Sequence, residues 1–210
     1  MSKLRIYSTV LFLILLFGSA NLANAQSGDV YFNIGTATAK SSGQSIDTFG
    51  DGNLFTTPKM DGVFGGFGGS YMLKPMLGVG FEYFSKFTQA DYAGLNYRPR
   101  FYDFNAIWMP IPNSHKVVPE FQAGVGAAHL SFYYNQQFCD VFAGCSTSNS
   151  FLESSNHFQT HLGAGVNIYV KGGIFVRPQF DVHYVRNFFQ FGSNWSPAYS
   201  VALGYSFGRQ

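Results

Sequence analysis

The sequence is short of charge. Asp, Glu, Lys and Arg make up 11% of its 210 residues, against about 25% in ordinary soluble domains, so the usual water-covered surface is excluded. Two cysteines, Cys139 and Cys145, are too few for a disulfide-dense scaffold, and their spacing is not one that holds a metal. Long hydrophobic runs are missing too. The apolar run at 10–17 falls well below the ~20 residues that a helix needs to cross a bilayer. Beyond the N-terminus no 3.6-residue period is sustained, which argues against amphipathic helices.

What the N-terminus does contain is the pattern of an export signal: basic Lys3 and Arg5, the short apolar run, then small residues at Ala23-Asn24-Ala25. Cleavage after Ala25 is expected, giving a signal peptide at 1–25 and one domain at 26–210. No Cys follows the cut to take a lipid anchor. Taking Lys3 and Arg5 from the 13 basic residues leaves eleven against 11 acidic, a net charge of zero. Nothing in that balance suggests a nucleic acid as partner.

The full sequence has 24 Gly, 24 Phe and 13 Tyr, and nearly all of them fall after the signal, in runs where apolar residues alternate with small or polar ones. That period of two is the mark of strands. Eight are expected, at 29–36, 62–71, 77–88, 97–109, 117–132, 157–170, 174–187 and 195–207. In the last, Tyr199, Val201, Leu203, Tyr205 and Phe207 share one face, and Ser200, Ala202, Gly204 and Ser206 share the other. Val176, Phe180, Val182 and Tyr184 divide in the same way from Arg177, Gln179, Asp181 and His183.

A soluble sandwich would also alternate. Two further features separate the cases. Short connections at 72–76, 110–116 and 171–173 alternate with longer ones at 37–61, 89–96, 133–156 and 188–194, as in transmembrane barrels with short inner turns and long outer loops. Tyr71, Trp108, Tyr205 and Phe207 all fall at the short-turn end, where an aromatic girdle would form. The expected fold is therefore all-β: an antiparallel, up-and-down transmembrane barrel of about eight strands in the outer membrane.

The chain resembles the small bacterial outer-membrane barrels that include the OmpA-like transmembrane domain and the porin family. The resemblance rests on Phe101-Tyr102-Asp103-Phe104-Asn105-Ala106, Gly124-Val125-Gly126, His161-Leu162-Gly163-Ala164-Gly165-Val166, Val176-Arg177-Pro178 and the aromatic-ended last strand. It implies that the last strand is read by the outer-membrane assembly machinery. Here Phe207 is followed by Gly208-Arg209-Gln210, and Ala202 stands where that class has Gly.

The charges on the small, polar face would point into the barrel. Glu82, Asp103, Glu120 and Arg177 lie at similar depth, and Lys86, Asp181 and His183 lie further out. Buried charges must pair, because desolvation costs several kcal/mol per ion; Arg177 is expected to be held by Glu120 and by either Glu82 or Asp103. Such a network could gate a pore. The geometry favours a plug, since eight strands enclose just enough room for their own side chains. Gly78/Gly80, Gly124/Gly126 and Gly163/Gly165 would make room on the same face. Pro119 and Pro178 fit a closed barrel poorly and suggest a bulge at each site.

His129-Leu130-Ser131 resembles the His-x-Ser of outer-membrane lipid A deacylases, which would make His129 a base and Ser131 a nucleophile. Both would face lipid. However, Phe132 replaces that family's Asn, and Glu153 in the following loop is the nearest acid, so a polar girdle is the plainer role. Neither the histidines at 115, 157, 161 and 183 nor Asp47, Asp51 and Asp61 form a convincing metal set. No cofactor is expected. Cys139 and Cys145 are either a disulfide or two free thiols. The reading is thus a non-enzymatic membrane barrel, structural or binding a surface partner at loops 37–61 and 133–156, with a narrow passive pore as the alternative.

Overall fold

The computed structural model describes residues 27–39, 45–47, 50–58, 60–92, 94–112, 114, 116–140, 144–188 and 191–208. The expected signal at 1–25 and His115 lie outside them. Eight long strands form: β1 (Gly28–Ala37), β4 (Phe64–Lys74), β5 (Leu77–Lys86), β7 (Leu95–Trp108), β8 (Val117–Asp140), β9 (Gly144–Lys171), β10 (Ile174–Val185) and β11 (Trp195–Phe207). Three short ones decorate the long-loop end: β2 (Ser45–Ile46) pairs with β3 (Phe55–Thr56), and β6 (Ala90–Tyr92) pairs with β7. The long strands follow the order β5-β4-β1-β11-β10-β9-β8-β7, every pair antiparallel, and β7 returns to β5. First and last strands meet through ten aligned pairs from Gly28↔Phe207 to Ala37↔Ala198. The ring has no free edge, which is the condition for a sheet to exist in lipid.

Alternation decides which side faces out, and it is inverted relative to a soluble fold. Val30, Phe32, Phe104, Leu162, Val170, Tyr199, Val201 and Leu203 are all exposed on the outer wall, Phe32 at 74%. Asn33, Glu82, Asp103, Gln122, His161 and Arg177 are buried inside. A sandwich would bury the first set and expose the second. Contiguous apolar surface on this scale needs lipid to cover it. At the short-turn end Trp108 lies 5.5 Å from Phe121 and Tyr205 4.8 Å from Phe207, ring centre to ring centre. Tyr71 is on the same outer wall and exposed. One of the short turns, Gly172-Gly173, places Gly172 at φ 58°, a conformation that glycine adopts at little cost.

Two sequence expectations are corrected. The segment 133–156 is not a loop: β8 and β9 run on as a paired ribbon from Tyr133↔Phe151 to Asp140↔Gly144. Both faces of this ribbon stand clear of lipid and core, so the apolar alternation that marks the other strands is absent from it. Nor is there a bulge at either proline. Pro119 lies beyond the last β7–β8 pair, Trp108↔Phe121, and still aligns with Val166 of β9. At Pro178 the β9–β10 ladder lapses between Val176 and Gln179 without changing register, while β11 pairs straight through Pro178↔Val201.

Candidate functional site

The lumen is filled in three layers. At its short-turn end Met72, Ile107, Met109, Val118, Tyr169 and Phe175 form a buried apolar cluster, with the Tyr169 and Phe175 rings 5.6 Å apart. At the long-loop end Phe64, Phe84, Phe101, Leu130 and Tyr97 point inward, and Met60, Phe188 and Phe191 fold over them from the loops. Phe188 stacks on Phe191 at 4.4 Å and Phe64 on Phe84 at 5.2 Å. The inner face is therefore greasy at both ends.

Between the clusters lies the polar layer. Arg177 on β10 is fully buried, and its Nη1 donates to Glu120 Oε1 on β8 at 2.7 Å. Glu120 also accepts from Gln122 Nε2 and Asn167 Nδ2, each at 2.7 Å. The guanidinium carbon sits 3.9 Å from the centre of the Tyr31 ring, a cation–π contact in a desolvated setting. The Tyr31 hydroxyl donates to Glu82 Oε2 at 2.9 Å, and Asn33 Nδ2 to Glu82 Oε1 at 2.8 Å. Glu82 thus joins Arg177 through a shared neighbour rather than directly.

Asp181 and Asp103 occupy the next level outward. Asp181 Oδ1 meets His161 Nε2 at 2.9 Å and accepts from Gln179 Nε2 at 2.8 Å. Asp103 accepts from Gln159 Nε2 at 2.7 Å, with His183 Nδ1 3.6 Å from its other oxygen. His183 is stacked between Phe101 at 4.5 Å and His161 at 4.8 Å. Lys86 is further out again, its Nζ donating to the Asp61 carbonyl at 2.7 Å.

Space for these groups comes from glycine. A Cβ at Gly165 would press on the Arg177 side chain at 3.2 Å, and one at Gly68 would fall on the Tyr31 ring. Sequence parity finds the charged residues Glu82, Asp103, Glu120, Arg177, Asp181 and His183, but not the buried Asp29 of β1, which accepts from the Ser70 hydroxyl. Tyr31, Asn33, Gln122, Gln159 and Asn167 share that inward parity and carry many of the hydrogen bonds, but have no charge to single them out. The outer apolar cluster was missed because Phe188, Phe191 and Met60 come from loops, where parity says nothing.

His129 and Ser131 lie on the outer wall of β8. His129 Nδ1 is 2.7 Å from Asn156 Oδ1, so an amide rather than a carboxylate meets the ring. Ser131 is only 2% exposed. A base oriented by an acid, the requirement for a lipase-like site, is not formed by these residues. Cys139 and Cys145 face each other in the ribbon and are bonded. Among the described residues no group of three or more His, Cys, Asp or Glu is placed to hold a metal. In the loop before β3, Asp47 accepts from the Gly50, Asp51 and Gly52 amides. Hydrogen bonds from the Asn53 side chain and backbone hold the Asp51 carboxyl below its usual range.

Compared by sequence, the chain matches no protein-family profile and no curated protein. Compared by structure, it is similar to Ail, the attachment invasion locus protein of Yersinia pestis, solved with the heparin analogue sucrose octasulfate: TM-score 0.53 and 11% identity, over 87% of this chain and 99% of that one. The fold is that of the small bacterial outer-membrane barrels. Neisserial surface protein A gives TM-score 0.53 at 14% identity over 85% and 96% of the two chains. A major outer membrane protein from Thermus thermophilus gives 0.50 at 11% over 85% and 99%. The likeness is one of backbone, at identities where side-chain roles do not carry over.

Proposed function

We propose that this chain is a non-enzymatic integral protein of the bacterial outer membrane, exported by the signal at 1–25. Its sealed barrel anchors the β8–β9 ribbon and the neighbouring loops at the cell surface. The observation that supports this reading is the packing of the inward face: buried apolar clusters lie above and below the Arg177–Glu120 layer, as a barrel closed to solutes would require. The ribbon continues the barrel wall through eight aligned pairs beyond Phe132, roughly 25 Å at the usual rise per residue, and the Cys139–Cys145 bond ties off its tip. Its Ser- and Asn-rich faces suit hydrogen bonding to a surface partner. A cavity of about 510 Å³ at the long-loop end, lined by Phe55, Asp61, Lys86, Asp91 and Tyr97, offers a second contact point at the mouth.

The aromatic end of β11 is the segment that the assembly machinery would read. Ail, with the same fold, bears an attachment role in its name, a precedent for barrels that serve as bases for surface contacts. The test is fractionation with heat-modifiable migration: the chain should partition with outer membranes and shift on boiling. Recovery in the soluble fraction with no shift would refute the proposal.

A further inference from the structure

We propose that the cavity at the long-loop mouth binds a zwitterionic α-amino acid with a large apolar side chain, its carboxylate held by Lys86 and its ammonium by Asp61. This deepens the surface-contact reading above, on which it rests, by naming a ligand for the cavity. The cavity measures about 510 Å³, and its lining includes Phe55 of β3, Asp61, Lys86 at the end of β5, Asp91 and Tyr92 of β6, and Tyr97 of β7. That is the size of a small-ligand site, in which apolar walls surround a few placed charges.

Lys86 lines this cavity while being only 5% exposed. Gly62, at φ 135°, makes room for its stem: a Cβ there would come within 2.8 Å of Lys86 Cε. The Nζ donates to the backbone carbonyl of Asp61 at 2.7 Å and stands 5.7 Å from the centre of the Tyr97 ring. No carboxylate pairs with it. Among the described residues the ion pairs are Arg177–Glu120, His161–Asp181 and His183–Asp103, all inside the lumen. An ammonium has three N–H donors, and a buried cation short of acceptors is costly. An anionic oxygen entering from the cavity would relieve that cost.

Asp61 is exposed and supplies the opposite charge at a set spacing. Because its carbonyl touches the Lys86 Nζ, its carboxylate lies at most one side-chain length further, roughly 8 Å from the ammonium. It also lies beyond the ~4 Å reach of an ion pair. An α-amino acid fits that interval, since its own ammonium and carboxylate are ~3 Å apart and each adds a hydrogen bond of ~2.8 Å. A plain anion would meet Asp61 and Asp91, and a plain cation would meet Lys86. A molecule bearing both charges finds a complement for each. Its side chain would lie on the aromatic wall, where half-buried Phe55 meets Tyr92 edge-on with ring centres 6.5 Å apart. Such rings cover a large apolar group well.

The experiment is saturation-transfer NMR titration of the folded chain in detergent micelles with phenylalanine. Three analogues serve as controls: N-acetylphenylalanine lacks the ammonium, phenylalaninamide lacks the carboxylate, and alanine lacks the ring. Each should bind the wild type roughly ten-fold more weakly than phenylalanine, the size of one charge-assisted or apolar contact. Lys86→Met should abolish the preference for phenylalanine over its amide, and Asp61→Asn the preference over the N-acetyl form. The Asp61 change leaves in place the backbone carbonyl that Lys86 uses. A wild type that shifts on boiling but binds phenylalanine no better than these analogues, or not at all, would overturn this inference alone. So would a folded Asp61→Asn chain that still prefers phenylalanine to the N-acetyl form. A wild type that neither enters micelles nor shifts on boiling would overturn the membrane reading itself.

Discussion

Arg177 Nη1 and Glu120 Oε1 stand 2.7 Å apart in the middle of the lumen, and each side chain is only 1% exposed. A pair so placed is weak evidence for stability but strongly sensitive to losing one member, because the charge left behind has neither water nor a partner.

Removing one partner should therefore cost more than removing both. Arg177→Met or Glu120→Gln alone is expected to destabilise the folded barrel by about 3–5 kcal/mol, read as the urea midpoint of the heat-modifiable form in lipid vesicles. The double substitution should lie well above either single one. Additive losses would show that the two side chains act independently.

Glycines on the two faces of one strand should behave oppositely. Gly68 points inward, where a Cβ would fall on the Tyr31 ring, whereas a Cβ at Gly69 would meet nothing nearer than the Asp29 carbonyl at 3.2 Å. Gly68→Ala is expected to cost about 1–3 kcal/mol through overpacking and to disturb the Tyr31 hydrogen bond to Glu82. Gly69→Ala should change stability by less than half as much in the same urea titration.

The disulfide lies at the ribbon tip and away from the barrel. Reduction should remove about 2 kcal/mol of chain-entropy restraint from that short loop, and so raise protease cleavage between 133 and 156. Migration of the unboiled barrel on a detergent gel should stay as it was. A barrel that lost its boiling shift on reduction would show that the ribbon supports the wall, contrary to its position outside the closed ring.

How much of this was legible in sequence follows from where a residue sits relative to lipid. Along β11 and β10 the Tyr199-Val201-Leu203 and Arg177-Gln179-Asp181 rows could be read directly, because one face meets hydrocarbon and the other does not. Over 133–156 both faces meet water, so the same backbone geometry left no hydrophobic signature and was expected to be a loop. Prolines 119 and 178 misled for a different reason. The register shows that each can stand where the ladder has ended or lapses, with no extra residue inserted. Most inner charges were found by parity, but most of their amide and phenol partners were passed over, because an uncharged side chain on a strand carries no demand for pairing that sequence alone displays. The caps of the lumen depend on Phe188 and Met60 returning from loops, a long-range consequence of closure.

The central claim is that the barrel is closed to solutes as well as to lipid, and planar-bilayer recording of the refolded chain tests it most directly. With insertion verified by the boiling shift, the account expects no unitary conductance steps for the wild type, nor for Arg177→Met, because the clusters around Phe101 and Phe175 remain in place. Steady, ion-selective conductance from the wild-type chain would contradict it and make the protein a narrow pore.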